Sequence, residues 1–507
     1  MADTFDTTPL WSDATTFPHY PPLAGNIEVD VVVVGGGITG LTAAYFLARA
    51  GKRVAVLERG RCAGGDTGHT TAHLTMVTDS RLRELVKSFG RDHAQASWDA
   101  GLSAIAAVDE LTREHAIDAR FAWVDGYLHL PVEGDSEDGP ESLEADAALA
   151  RELGFDAEFV EDVPFVRRPG VRFADQARFH PRAYLAGVAR AIVAAGGRIH
   201  EFSEATKFHD DPRRVESNGH LVTCEDVVLA THNPLAGLGG VVQATLFQTK
   251  LALYSSYVVA GQVPRDAVPD ALYWDTASPY QYVRLDPWRD HAVVILGGKD
   301  HKTGQQDDTA GCVRQLEESL KALVPGISVT HRWSGQVIET PDGLPYIGRI
   351  ADHQYAATGY AGNGMTFGTL AGIMISDAIL GLSNPWADLF DPGRKALTRG
   401  LWDYVKENAD YPYYMVRGRF AGAETRSLRT IKRGHGEVIE RDGRKVAAYR
   451  DTSGAITLRS AICTHMGCTV TWNTAERTWD CPCHGSRFTR HGDVISGPAE
   501  TALPPVE

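Results

Sequence analysis

The sequence predicts an open-sheet α/β domain interleaved with an α+β domain, followed by a small all-β domain at the C-terminus. Three observations carry this. An apolar strand runs through a glycine turn into a helix and a second apolar strand between residues 27 and 58. A β-rich stretch occupies about 240–330, and short β-type runs with clustered cysteines follow about 420. At 507 residues the chain exceeds a single core and has room for about three domains. Its composition, 43% hydrophobic and 23% charged with 51 glycines, is that of a folded chain rich in tight turns. The net charge of −15 opposes binding to phosphate backbones and anionic lipid, so nucleic acid is not an expected partner.

Residues 1–25 are polar and hold Pro9, Pro18, Pro21 and Pro22, which predicts an extended arm laid over a surface. No basic and apolar leader is visible in them, so a cytoplasmic location is expected. IEVDVVVVGGG reads as a buried strand entering a glycine turn, TGLTAAYFLARAG as a helix closed by Gly51, and KRVAVLER as a second buried strand. The apolar stretch Val31–Ala50 is broken by Gly35, Gly36, Gly37 and Gly40, so it is not a membrane span, and no anchor is expected. A helical, charged stretch covers about 81–165. PRAYLAGVARAIVAAGG is an amphipathic helix, and EDVVLATHN an apolar strand. KLALYSSYVVA, YQYVRLD and HAVVILGG are strand runs of a second, sheet-based domain. Glycine-rich α/β character returns over 331–384 and ends in the helix TLAGIMISDAIL. Residues 385–420 read as a linker, and 421–507 as the all-β domain.

Gly35-Gly36-Gly37-Ile38-Thr39-Gly40 satisfies G-x-G-x-x-G between strand and helix, so Gly35, Gly37 and Gly40 permit backbone to approach a pyrophosphate on the helix N-terminus. Glu58, followed by Arg59, ends the second strand about 20 residues on, where a carboxylate can bond ribose hydroxyls. This Rossmann-type unit accepts FAD or NAD equally well. No second glycine fingerprint is present to hold a nicotinamide cofactor as well.

With DVVLATHN, TPDGLPYIGR and TGYAGNGMTFG, the stretch 28–384 resembles the D-amino-acid-oxidase-like flavoproteins, which include glycine oxidase, sarcosine oxidase and dimethylglycine dehydrogenase. The resemblance implies FAD, oxidation of an amine or amino acid, and a substrate domain (about 81–164 and 236–329) inserted between FAD-binding pieces (about 26–80, 165–235 and 330–384). It places Thr231, Gly362, Gly364 and Met365 beside the flavin. Gly65-Asp66-Thr67-Gly68-His69 resembles the segment in which some members attach FAD covalently. His69 is the matching position, although Gly68 replaces the usual aromatic residue; the other reading has His69 lining the flavin or bonding a backbone carbonyl. Tyr254, Tyr282, Arg284 and Lys302 are candidates for holding a substrate carboxylate or cation.

Cys463, Cys468, Cys481 and Cys483 crowd into the stretch 463–483, a density that points to a metal. Cys463-Thr464-His465-Met466-Gly467-Cys468 and Cys481-Pro482-Cys483-His484-Gly485-Ser486 resemble the Rieske family at nearly every position. The resemblance implies a [2Fe-2S] cluster held by Cys463, Cys481, His465 and His484, with a potential within roughly −150 to +300 mV. It also implies a loop-bridging disulfide between Cys468 and Cys483. Ser486 keeps a hydroxyl that bonds the cluster in high-potential relatives, while Phe488 stands where they carry tyrosine, so a potential below the top of the range is expected. Zinc remains an alternative for Cys-x-His with Cys-x-x-His. A Rieske oxygenase is disfavoured, because no two-histidine, one-carboxylate iron site is evident.

The function expected is FAD-dependent oxidation of an amine or amino acid, with electrons relayed between flavin and cluster to an external acceptor, whether protein, quinone or oxygen. The rivals are a flavin oxidase that reduces oxygen beside a structural or sensing cluster, and a non-enzymatic redox sensor or scaffold.

Overall fold

A computed structural model describes residues 6–233, 251–288, 290–394, 428 and 430–506. Most of the sequence-predicted linker, and the segment joining the strand Asp226–Leu229 to the second sheet, lie outside the described residues. The first body is built on a six-stranded sheet in the order Tyr346–Ala351, Gln354–Thr358, Asp226–Leu229, Val31–Val34, Val54–Leu57, Arg198–His200. All but the first of these are parallel, with Val33 paired to both Val228 and Val56. Parallel strands are covered on both faces, which is why Val31–Val34 is a continuous apolar run and fully buried.

The helix Ile38–Arg49 packs closely on the helix Gly364–Leu380. Two glycines permit the approach: a Cβ on Gly372 would lie 2.6 Å from Thr42, and one on Gly368 would lie 2.6 Å from Ile38. This crossing ties the first glycine motif to the Gly362–Met365 turn from the far end of the domain.

The second sheet has nine strands, in the order Ser328–Glu339, Ala252–Pro264, His291–Lys302, Tyr282–Pro287, Leu272–Asp275, Ala122–His129, Gly170–Arg178, His73–Leu74, with Ala157–Val160 also on Gly170–Arg178. Strands of the large sheet thus also come from the FAD-binding pieces that the resemblance implies, at 73–74, 170–178 and most of 328–339. The charged stretch 81–165 holds the helices Leu82–Phe89, Arg91–Glu114 and Pro140–Glu152, but also the strands Ala122–His129 and Ala157–Val160. Those strands are half-buried and short of β-branched residues, so their pattern is weak. The N-terminal arm is more than a surface cover. Trp11, in the short helix Leu10–Ala14, is wholly buried, and its indole N–H donates to the Thr70 carbonyl at 2.6 Å.

The C-terminal body has a three-stranded sheet (His435–Arg441, Arg444–Arg450, Ile456–Ser460) and a four-stranded one (Thr471–Asn473, Thr478–Asp480, Arg487–Thr489, Val494–Ser496), every pairing antiparallel. It docks on the nine-stranded sheet. Thr471 Oγ1 donates to the Gly304 carbonyl at 3.0 Å, Gln305 Nε2 to the Pro482 carbonyl at 3.0 Å, and the Ala475 amide to Thr309 Oγ1 at 3.2 Å. Among the described residues, no helix is long and apolar enough to cross a membrane.

Candidate functional site: a flavin cavity with an iron–sulfur loop in its wall

A single cavity of about 1010 Å³ lies between the two large sheets, ample for a dinucleotide with a small substrate. Gly35, Gly36 and Gly37 line one end, where the strand Val31–Val34 turns into the helix Ile38–Arg49. The turn has no room for side chains: a Cβ on Gly35 would fall 2.4 Å from the Ala230 carbonyl oxygen, and one on Gly36 2.7 Å from Cys62 Sγ. Gly40 does not line the cavity. It lets the first helical turn sit on the strand, since a Cβ there would be 1.9 Å from the Gly35 carbonyl oxygen. Glu58 also lines the cavity, held by the Gly36 amide at 2.8 Å and the Gly60 amide at 2.7 Å. Backbone amides at a helix N-terminus, a glycine turn that leaves the backbone bare toward the cavity, and a positioned acid fit FAD.

Arg59, His69, Thr231, Gly362, Gly364 and Met365 line the same cavity. The His69 ring pairs through Nδ1 with the Gly65 carbonyl at 2.9 Å, and its own carbonyl accepts from the Trp333 indole. Of the four substrate candidates, only Tyr282 reaches the cavity, with its hydroxyl 2.6 Å from Ser256 Oγ. Arg284 is a correction. It is wholly buried, donates to the carbonyls of Thr71, Ala72 and Phe179 and to the Asp286 carboxylate, and so fastens the sheet instead of meeting substrate. Burial pulls its pKa down to about 10 against the attraction of Asp286. Tyr254 and Lys302 are register partners on neighbouring strands outside the cavity lining.

Several cavity residues carried no sequence signal. Asp79 lies in the loop after the strand His73–Leu74, and its Oδ1 accepts from the Tyr280 hydroxyl at 3.0 Å. Asp300 comes from the strand His291–Lys302. Asp79 is open to the cavity but ringed by protein, and the partial desolvation pushes it up to about 7, opposed by the Tyr280 bond and helped by Asp300; burial pushes Asp300 up to about 6 against its bond from Ser256. Isolated aspartates in strand ends and loops usually mean turns and surfaces, so only tertiary placement singles these out.

In the C-terminal body, Cys463 and His465 come from one loop and Cys481 and His484 from another. The Cys463 and Cys481 thiols are buried and hydrogen-bonded to each other, and the His465 and His484 rings sit edge to face with centroids 4.9 Å apart. Two sulfurs beside two imidazoles form a donor set that fits a [2Fe-2S] cluster with one Cys-ligated and one His-ligated iron. Cys468 and Cys483 are disulfide-bonded and tie the two loops together. Ser486 bonds Cys463 and accepts from the Ala499 amide at 3.0 Å. Phe488 is wholly buried in the domain core.

These loops adjoin the flavin cavity. Gln336 lines the cavity; its backbone amide donates to Asp66 Oδ1 at 3.1 Å, and its side-chain Nε2 donates to the Gly485 carbonyl, next to His484, at 2.9 Å. Ile495, Ser496, Gly497 and Ala499 of the C-terminal body line the cavity too, and Arg59 donates to the Ile495 carbonyl at 2.6 Å.

Comparison with known proteins agrees with this construction. Residues 30–378 match the FAD dependent oxidoreductase family, and residues 423–507 match the Rieske [2Fe-2S] domain. The chain is 31% identical over 504 residues to YhfW of Bacillus subtilis (strain 168), which carries the name of a Rieske 2Fe-2S iron–sulfur protein; the match covers 98% of this chain and 97% of that one. It is 26% identical over 382 residues to gamma-glutamylputrescine oxidoreductase of Escherichia coli (strain K12), covering 73% of this chain and 88% of the relative. The crystal structure of glycine oxidase from Geobacillus kaustophilus superposes with a TM-score of 0.59 at 19% identity, over 73% of this chain and all of that one, and so shares the fold. The chain is therefore a member of the FAD dependent oxidoreductase family that carries a C-terminal Rieske [2Fe-2S] domain.

Proposed function

We propose that this oxidoreductase oxidises an amine or amino acid in the cavity and relays electrons between flavin and cluster to an external acceptor. Bound FAD supplies a two-electron acceptor, and the [2Fe-2S] cluster a one-electron carrier. Gly35, Gly36 and Gly37 with Glu58 would hold the dinucleotide, with Gly40 setting the turn beneath them, and Gly362, Gly364 and Met365 would flank its ring; Cys463, Cys481, His465 and His484 would hold the cluster. The names of relatives that act on glycine and on gamma-glutamylputrescine support the substrate class. The observation that carries the relay is the position of Gln336, one residue that both lines the cavity and bonds the cluster loop. A cluster serving only as a structural strut would have no need of this seat.

The test is His484→Ala, with the flavin followed at about 450 nm and the cluster by electron spin resonance under anaerobic conditions. Substrate-dependent flavin bleaching is expected to survive, while reduction of an external one-electron acceptor is lost. Undiminished acceptor turnover would remove the relay.

A further inference from the structure

The cavity wall nearest the Gly362 turn is acidic, and no cation among the described residues opposes it. Asp79 points into the notch at Gly362: a Cβ built there would lie 2.9 Å from Asp79 Oδ2. Tyr280 backs this carboxylate, and its ring lies 5.6 Å from that of Tyr282, whose hydroxyl meets Ser256. Asp300 completes the wall. One of its carboxylate oxygens, Oδ1, is shut off from solvent and has no hydrogen-bond partner, while Ser256 serves the other side of the group. No cationic side chain among the described residues acts on either carboxylate.

The cations that do line the cavity are committed elsewhere. Arg81 pairs with Asp138 and Asp146, Arg61 with Glu201, and Arg59 with the Ile495 carbonyl. His73 is kept neutral, its pKa pulled down to about 3 by burial and by the charge of Arg284. A carboxylate arriving here would meet two acids and no partner, which disfavours it by like-charge contact. An ammonium group would instead meet two carboxylates, Asp79 and Asp300, in the cavity lining.

Resting on the amine or amino-acid reading above, we infer that the cavity is built for a substrate with two ammonium groups and no carboxylate, an α,ω-diamine or polyamine. Asp300 holds the distal ammonium, and Asp79 faces the amine to be oxidised. An ammonium must lose a proton before its neighbouring carbon can be oxidised. Here the proton passes from substrate nitrogen to the Asp79 carboxylate, leaving a neutral amine and a carboxylic acid that keeps its hydrogen bond from Tyr280. The raised affinity of Asp79 for a proton suits that exchange.

The test is calorimetric binding to the flavin-loaded, anaerobically pre-reduced protein, in which no turnover occurs. The probes are short α,ω-diaminoalkanes and the ω-amino acids of equal chain length. The diamine is expected to bind at least about tenfold more tightly than its amino-acid counterpart, the scale of a charge-assisted hydrogen bond. Asp300→Asn should erase that preference. Asp300→Glu, which keeps the charge one methylene further out, should shift the optimum to a shorter diamine. Equal or tighter binding of the ω-amino acid, no binding of any diamine, or an unchanged preference in both variants overturns the inference. Bleaching of oxidised flavin separates the two levels: if amino acids bleach it and diamines do not, this inference fails and the broader reading stands. If neither class bleaches it, both fail.

Discussion

Gly304 offers a sharp test of how the cluster domain is seated. It follows the strand His291–Lys302 with φ +80°, and a Cβ placed on it would lie 2.7 Å from the Pro482 nitrogen and 2.8 Å from the Cys481 carbonyl carbon. Both are backbone atoms of the cluster loop, so the contact cannot be relieved by rotating a side chain. Gly304→Ala therefore incurs about 1–2 kcal/mol for a left-handed alanine and about 1–3 kcal/mol for overpacking. The first of these has its own control. Gly326, at φ +84°, has nothing within 4 Å of the added atom, so Gly326→Ala carries the backbone strain alone. The difference between the two variants in chemical denaturation isolates the interdomain clash. If the cluster loop lifts away to relieve it, the docking equilibrium constant falls by about 5- to 150-fold. Rapid-mixing kinetics should then show flavin bleaching at the normal rate and cluster reduction slowed, by at most about that factor. Equal destabilisation of the two variants, with unchanged cluster reduction, would refute the close seating of the loop on Gly304.

Gly40→Ala, which puts a methyl group 1.9 Å from the Gly35 carbonyl oxygen, should yield protein that loses flavin on gel filtration, read as the ratio of 450 to 280 nm absorbance. Arg284→Met should cost about 3–5 kcal/mol of stability, because it strips one partner from the buried Asp286 and orphans three carbonyls; if Arg284 instead held a substrate carboxylate, substrate affinity would collapse while stability stayed near normal. Asp79, raised to about 7 by partial desolvation in the cavity wall, binds a proton in the folded protein that it has released in the unfolded chain between about pH 4 and pH 7, so it withdraws stability as pH rises through that window, by an amount that cavity water keeps small. The Tm advantage of Asp79→Asn over the parent should accordingly grow slightly from about pH 5 to pH 8, and a difference that shrinks over this range would contradict the raised pKa.

The legible parts of this chain are those whose chemistry is local. The glycine turn after Val34 needs only a strand, a helix and space for a pyrophosphate, all written within thirty or so residues. The two cysteine–histidine loops are similarly short-range: their spacing points to a metal, and their resemblance to the Rieske family implies the cluster. The substrate wall is different. Asp79, Ser256, Tyr280 and Asp300 come from separate elements, and each is unremarkable where it stands in the sequence. Arg284 shows the converse: from the sequence it is a candidate for holding substrate, but it is wholly buried and its two terminal nitrogens are bound to three backbone carbonyls and Asp286.

The sequence by itself determined the two cofactor-binding units and the family, because dinucleotide cradles and cluster loops are encoded by residues close together in the chain. Only the tertiary structure decided that the cluster loop rests on Gly304 and on Gln336, which lines the flavin cavity, and that the wall facing Gly362 is acidic. Both facts depend on which strands meet across a nine-stranded sheet assembled from residues 73 to 339. Such long-range juxtaposition is set by the burial of whole sheet faces, and it leaves no periodic trace at the polar positions it brings together.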